Sequence, residues 1–160
     1  MIAAGAAFGI LAKYGDIAYA SSIFSYFGLL TSGFAIWLVI GTAIIYISSS
    51  RKQLSVLLSS FMLPMLLAYY IFSVLVVKYF NIKIALFWCA AFAGSLIIGN
   101  IIFPKRYTKL FEALFIIASV VFIILDAIII NGVNILLILC ESALCIIAII
   151  LISRKIKRKS

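Results

Sequence analysis

The chain alternates between long apolar runs and short polar clusters, and the runs define the predicted elements. A helix needs about 17–25 mostly apolar residues to cross the roughly 30 Å hydrocarbon core of a bilayer. Six runs approach or reach that length, at residues 2–20, 29–47, 55–77, 84–103, 110–130 and 135–152. The pattern therefore predicts an all-α integral membrane protein, a bundle of about six transmembrane helices joined by short loops.

The first of these runs is the ambiguous one. Residues 2–12 are continuously apolar, but as a helix they would cover only about 16 Å. The run reaches residue 20 only by including Lys13 and Asp16, whose i,i+3 spacing lets them pair on one helix face. If this segment does not cross the membrane, five spans remain. Either way, we predict one transmembrane domain over residues 1–153, followed by a basic tail at residues 154–160.

Composition strengthens the membrane interpretation. Apolar residues make up 68% of the chain and charged residues 11%, whereas soluble domains average roughly 45–50% and about 25%. A water-soluble domain is excluded, because the polar residues cannot cover so much apolar surface, and the lipid bilayer becomes the expected partner. The net charge of +9 is then explained by topology, and we expect no nucleic-acid partner.

The basic residues also predict an orientation, since cytoplasmic loops of membrane proteins are enriched in Lys and Arg. Lys13, Lys78 and Lys83 fall on one side of the predicted spans. The other ten fall on the opposite side: Arg51, Lys52, Lys105, Arg106, Lys109, Arg154, Lys155, Lys157, Arg158 and Lys159. We expect the C-terminus to be cytoplasmic, with the chain in a cell membrane. The Ile- and Lys-rich composition suggests a bacterial inner or plasma membrane.

Catalytic chemistry has little support in the sequence. There is no histidine, which excludes HExxH zinc sites and Ser-His pairs. Cys89, Cys140 and Cys145 show no CxxC spacing and lie inside apolar runs, where cysteine usually behaves as a small hydrophobe. We therefore expect no enzyme activity, no metal site and no cofactor.

Two acidic residues inside apolar spans carry the main functional hypothesis. Asp126 stands five residues before the polar cluster at 131–134 and Glu141 seven after it, which places them at similar depth on neighbouring helices. Trp37, Tyr69 and Tyr70 lie at comparable depth, below the usual interfacial belt. Carboxylates and aromatic faces both attract cations, so these residues predict a site for a cationic ligand or an ion. The alternative is a pair of protonated acids hydrogen-bonded inside the bundle, with aromatic rings that only fill space.

Helical phase predicts that both acids face protein rather than lipid. Glu112, Ser119 and Asp126 recur every seven residues and share one face of their helix. Asn134, Glu141, Cys145 and Ala148 form a comparable polar or small stripe on the last helix and the turn before it. The remaining faces are almost entirely aliphatic and aromatic, so we expect these stripes to be buried.

Small residues near the N-terminus form two interleaved pairs, Ala3 with Ala7 and Gly5 with Gly9. Small residues four apart let two helices approach closely in lipid. We consider two interpretations, a face for docking a partner helix and a face for packing inside the bundle.

These features favour a transport or substrate-binding membrane subunit for a cationic small molecule or ion. The alternative is a non-catalytic membrane interaction protein, such as an immunity factor, an assembly factor or a subunit of a complex. Either function is compatible with a homo-oligomer or with a partner membrane subunit.

The predicted orientation can be tested with reporter fusions in a bacterial host. A fluorescent protein that matures only in the cytoplasm should be bright when fused after Ser160. Alkaline phosphatase, which is active only outside the cytoplasm, should be active when fused after Asn81, between two predicted spans. The opposite pattern at both sites would reverse the orientation.

Overall fold

The structure, a computed structural model, describes residues 1–17, 23–130 and 134–157. All regular structure within these ranges is helical. Two of the helices continue as a π-helical turn and one is followed by a 3₁₀ turn. In chain order the helices are α1 (Ile2–Ile17), α2 (Ile23–Ser32), α3 (Ala35–Ile47), α4 (Arg51–Phe72, continued over Ser73–Val77), α5 (Ile82–Ile102, followed by Phe103–Lys105), α6 (Lys109–Leu125, continued over Asp126–Ile130) and α7 (Ile135–Lys157).

The all-helical prediction is confirmed, and several helices are suited to a membrane. Within the described ranges, four helices are long and apolar enough to cross a bilayer: α4, α5, α6 and α7. A fifth span results if α2 and α3, which meet at a bend of 69°, are counted as one crossing. The expected sixth span, at residues 2–20, is represented by α1, whose 16 residues fall short of the length needed. Residues 18–20 of that span lie outside the described residues, as do 131–133.

Helix starts follow local capping chemistry. Ser50 precedes α4, and its hydroxyl oxygen accepts from the backbone N–H of Gln53 at 3.1 Å. Thr108 caps α6 in the same way, accepting from the N–H of Phe111 at 3.3 Å. These bonds satisfy amide groups that have no partner within the first turn of a helix. Both caps belong to polar clusters that were predicted to separate spans.

The chain forms two compact units. The first contains Met1–Gly28 and Ser48–Ile101, and the second contains Leu29–Ile47 and Ile102–Ser160. The chain passes from one unit to the other three times, inside α2, after α3 and at the end of α5, so the segment predicted as a single domain at residues 1–153 contributes to both units.

In the first unit, α1 packs directly against α4 through two glycines. A Cβ atom at Gly5 would overlap the carbonyl oxygen of Phe61, and one at Gly9 would overlap that of Met65. Lipid supplies no hydrophobic force between helices, so association depends on close packing of this kind. The approach brings glycine Cα–H groups onto carbonyl oxygens, a contact worth about 0.5–1 kcal/mol.

Aromatic and polar contacts complete the first unit. The ring of Phe8 lies 5.9 Å from that of Phe61 and 5.6 Å from that of Phe27, measured between centroids. The side-chain amide of Asn100 on α5 donates to Ser55 Oγ on α4 at 2.9 Å. A polar bond of this type gives α5 a fixed register against α4 where apolar contacts alone are interchangeable.

The second unit is built from α3, α6 and α7. Its core cluster joins Phe111 and Phe115 of α6 to Ala148, Ile152 and Ile156 of α7. Because Ile156 is part of this cluster, α7 continues to Lys157, beyond the end at residue 152 that the apolar run predicts. Arg154, Lys155 and Lys157 of the predicted tail therefore lie in its last turn, where basic side chains favour the negative end of the helix dipole.

The α1–α4 contact yields a stability prediction. We expect Gly9→Leu to destabilise the protein by about 1–3 kcal/mol, because the added side chain must separate two backbones that are in contact. Ala7→Leu is the matched control, since Ala7 lies on the exposed face of the same helix. Thermal unfolding in a neutral detergent measures both variants, and an equal effect of the two would contradict the assigned contact.

Candidate functional site

The predicted span 29–47 is interrupted in the structure. α2 ends at Ser32 and α3 begins at Ala35, with Gly33 and Phe34 between them. Such a break leaves backbone N–H and C=O groups without intrahelical partners. Within a bilayer those groups must find partners in the protein, because lipid offers none. Neighbouring side chains must therefore supply hydrogen-bond partners for the backbone groups at the break.

Asp126 supplies the acceptors for the amide groups at the start of α3. Its Oδ2 accepts from Phe34 N at 2.7 Å and from Ala35 N at 3.0 Å, and its Oδ1 accepts from Phe34 N at 2.9 Å. The side chain is completely buried. The positive end of the α3 dipole thus faces a carboxylate, the charge that favours this end of a helix.

Trp37 provides a hydrogen-bond donor for a carbonyl group on the α2 side of the break. Its indole N–H donates to the carbonyl oxygen of Thr31, in the last turn of α2, at 2.9 Å. This carbonyl belongs to the set that a helix terminus leaves without an intrahelical partner. Trp37, predicted as part of a cation site, is thereby engaged in holding the two half-helices together.

The carboxyl groups of Glu141 and Asp126 both lie next to Gly33. An ideal Cβ built on Gly33 would lie 2.8 Å from Asp126 Oδ2 and 3.0 Å from Glu141 Oε1. The two carboxyl groups therefore approach the same point of the broken helix from α6 and α7. Both side chains have no exposed surface. We call Asp126, Glu141 and the Gly33–Ala35 backbone the carboxyl centre.

Further polar side chains line the α6–α7 contact. Ser119 and Cys145 are buried and hydrogen-bonded to each other, and the Ser119 hydroxyl also donates to the carbonyl of Phe115 at 2.8 Å. Where the first turn of α6 lies beside the basic end of α7, the Ser153 hydroxyl donates to the half-buried Glu112. The predicted burial of Ser119, Asp126, Glu141, Cys145 and Ala148 against protein is confirmed.

Tyr69 and Tyr70 belong to the other unit, where Tyr69 already has a cation over its ring. Lys13 Nζ lies 4.9 Å from the Tyr69 ring centroid and donates to its hydroxyl oxygen at 3.4 Å. The Tyr69 hydroxyl donates to Asp16 Oδ2, and Lys13 and Asp16 form the expected ion pair at 3.6 Å. Tyr70 packs edge-on against Tyr69 at 5.1 Å between centroids. Both tyrosines therefore have partners within the first unit, where a cation already lies over the Tyr69 ring.

The small residues of α1 divide between two faces. Gly5 and Gly9 are buried against α4, as the internal-packing interpretation expects, whereas Ala3 and Ala7 are exposed. Residues two positions apart on a helix point in directions that differ by about 200°. The alanine pair and the glycine pair therefore cannot share one surface. Partner docking through Ala3 and Ala7 stays a prediction.

The helix break is the feature that sequence reasoning missed. The run from Leu29 to Ile47 contains no proline, and hydropathy alone favours one continuous helix. A signal was present in Thr31-Ser32-Gly33, three consecutive residues of weak helix propensity, of which glycine alone costs about 1 kcal/mol relative to alanine. The apolar run could not show that Asp126, which is 92 residues from Phe34 in the sequence, would cap α3.

Metal coordination has limited support at the carboxyl centre. Across the residues the structure describes, no group of three or more His, Cys, Asp or Glu side chains is placed to hold a metal ion. Two carboxyl groups, one of which accepts from backbone N–H groups, suit a proton or a weakly held cation better than a tightly coordinated metal, which needs more oxygen ligands.

Comparison with known proteins does not supply a function. No family model, no curated protein and no solved structure matches this chain. The chemistry of the carboxyl centre is therefore argued from its own geometry.

Gly33 provides a direct test of the carboxyl centre. We expect Gly33→Ala to destabilise the protein by about 1–3 kcal/mol, since its methyl group would displace Asp126 from Phe34 and Ala35. Gly41→Ala is the matched control within α3, where an added Cβ meets no atom within 4 Å. There the gain in helix propensity should stabilise by up to about 1 kcal/mol. Thermal unfolding measures both, and a stabilised Gly33→Ala would contradict the geometry.

Proposed function

We propose that this chain is a multi-pass protein of a bacterial cell membrane, with its C-terminus in the cytoplasm, that acts as a transport or substrate-binding subunit for a cation. The observation that carries the proposal is the meeting of two fully buried carboxyl groups at Gly33, inside a broken helix. The apolar helices and the distribution of basic residues support the membrane placement.

Charge balance is the first argument. Two carboxylates a few ångströms apart in an apolar interior repel each other, and neither is solvated by bulk water. At least one of them must be neutralised by a proton or by a bound cation for the folded state to be stable. Acidic residues at membrane depth commonly mark ion or proton pathways for this reason.

The two acids differ in what surrounds them. Asp126 accepts hydrogen bonds from two backbone N–H groups at the start of α3. Moving Asp126 would leave these N–H groups without an acceptor. Glu141 approaches the same point from α7, so we assign Asp126 to holding the start of α3 in place, and Glu141 to the exchange of the proton or cation.

The aromatic residues favour an ion over a larger organic cation. Trp37 donates its indole N–H to Thr31, and the Tyr69 ring is covered by Lys13. The Tyr69 face thus already holds a cation, and the Trp37 N–H is engaged in a hydrogen bond. A proton needs only a carboxyl oxygen, and a weakly held inorganic cation is small enough to lie between the two carboxyl groups.

The depth of the carboxyl centre suits a transported ion. α3 has 13 residues and extends about 18 Å from the break to its end at Ile47, a little over half of a hydrocarbon core of about 30 Å. Secondary transporters place their ion sites near the middle of the membrane at discontinuous helices, where backbone groups and half-helix ends are available.

The proposal is tested by cation-dependent thermal unfolding of the purified protein in neutral detergent. We expect Na⁺, K⁺, Li⁺, Ca²⁺ or a change in pH to shift the melting temperature of the wild type. A cation present at one hundred times its dissociation constant stabilises by about 2.7 kcal/mol. Glu141→Gln should retain the fold and lose this response, because the amide keeps the shape of the side chain and removes its charge.

Glu112→Gln is the matched control, since Glu112 lies on the same stripe of α6 but bonds to Ser153 near the basic end. It should respond like the wild type. A proton as the exchanged cation would appear as a pH dependence that is absent in Glu141→Gln. Equal responses of wild type and Glu141→Gln, or no response to any cation or pH, would contradict the proposal.

A non-catalytic interaction protein is the second candidate. The observation that favours it is the exposed Ala3–Ala7 face of α1, which is left over after the glycine face has packed on α4. Small residues on an exposed helix face allow close approach of another helix. The partner would then be a second copy of the chain or a separate membrane subunit.

A further inference from the structure

A groove lies between α3 and α7 in the second unit. It encloses about 270 Å³. Its walls are aliphatic: Val39, Ala43 and Ile47 on α3, and Leu144, Ile147 and Leu151 on α7. Ala43, Ile47, Ile147 and Leu151 are exposed, so the groove opens sideways from the helix pair, in the direction from which lipid would enter.

The groove is elongated along the helices. Its lining on α7 extends from Leu144 to Lys155, which corresponds to about 16 Å at 1.5 Å per residue. A narrow apolar channel of this length, parallel to helices that cross a bilayer, has the shape of a hydrocarbon chain. Bilayer acyl chains lie in the same direction.

One end of the groove is basic. Lys155 lines it there, with its ammonium group 5.1 Å from the centroid of the Tyr46 ring. The Tyr46 hydroxyl donates to the backbone carbonyl of Arg106, and the Arg106 guanidinium lies over the Phe103 ring at 3.6 Å. The aromatic residues hold two cationic groups near the groove end, at the predicted cytoplasmic ends of the spans.

We propose that this groove binds one acyl chain of an anionic phospholipid, whose phosphate group contacts Lys155. The apolar walls account for the chain and the ammonium group accounts for the headgroup. Basic residues near the membrane surface attract anionic lipids, and here the charge is placed at the end of an apolar channel rather than scattered over a surface. This site is independent of the carboxyl centre, so the two proposals succeed or fail separately.

The test is lipid binding to the full chain in neutral detergent, followed by native mass spectrometry. The probes are dioleoyl phosphatidylglycerol and dioleoyl phosphatidylcholine, which share their acyl chains and differ in net charge. We expect the first phosphatidylglycerol to bind about fivefold more tightly than phosphatidylcholine, the effect of one basic residue near a headgroup. Lys155→Gln should remove this preference, and Ala43→Phe, which fills the groove, should weaken binding of both lipids.

Two matched controls make the test specific. Arg154→Gln removes a charge from the same turn of α7 outside the groove, and Ala143→Phe adds a ring at an exposed alanine that does not line it. Both should bind like the wild type. Equal affinity for the two lipids, an equal loss of preference in Arg154→Gln and Lys155→Gln, or an equal effect of Ala43→Phe and Ala143→Phe would overturn the proposal. Displacement of phosphatidylglycerol by millimolar inorganic phosphate would overturn it too, since the site would then recognise a free anion.

Discussion

The hydrogen bonds from Phe34 and Ala35 to Asp126 are the interaction on which the second unit depends. An interrupted helix in an apolar environment has free backbone groups at both sides of the break, and each unsatisfied group there costs several kcal/mol. Asp126 provides acceptors for the amide side and Trp37 provides a donor for the carbonyl side. Without them the chain would favour a continuous helix across residues 29–47, and Gly33 would not meet the two carboxyl groups.

One carboxyl group, that of Asp126, is enough to cap α3, yet a second one, that of Glu141, lies beside it. A single ionised aspartate at a helix N-terminus is a stable local solution, since the dipole and the amide groups compensate its charge. A second carboxyl group beside it raises the energy of the fully ionised state. Asp126 accepts from the N–H groups at the start of α3, so we propose Glu141 as the group whose charge changes when a proton or cation binds. The difference between their surroundings is the physical basis for that proposal.

Much of this architecture follows from the sequence, because burial of one face of a helix leaves a periodic trace. The apolar runs locate the long helices, and the seven-residue spacing of Ser119 and Asp126 places them on one buried face of α6. Contacts between distant segments leave no such trace. The bond between Asp126 and Phe34 joins residues 92 apart, and the contact between Lys13 and Tyr69 joins residues 56 apart. The sequence shows which polar side chains lie within apolar runs, but the packing of the helices determines the partners of those side chains.

Lipid as a solvent makes buried polar and small residues ambiguous in a way that water does not. Gly5 and Gly9 would suit a docking surface, yet they bring α1 onto the backbone of α4, where packing must replace the hydrophobic force. Trp37 and Tyr69 would suit a cation cage, yet each satisfies a polar group inside its own unit. A residue becomes a candidate for function when the structural requirement around it is already met by another. Ala3 and Ala7 meet this condition beside the glycine face. Glu141 is a candidate on a different ground, because it is a second buried carboxyl group at Gly33 and two buried negative charges at one point repel each other.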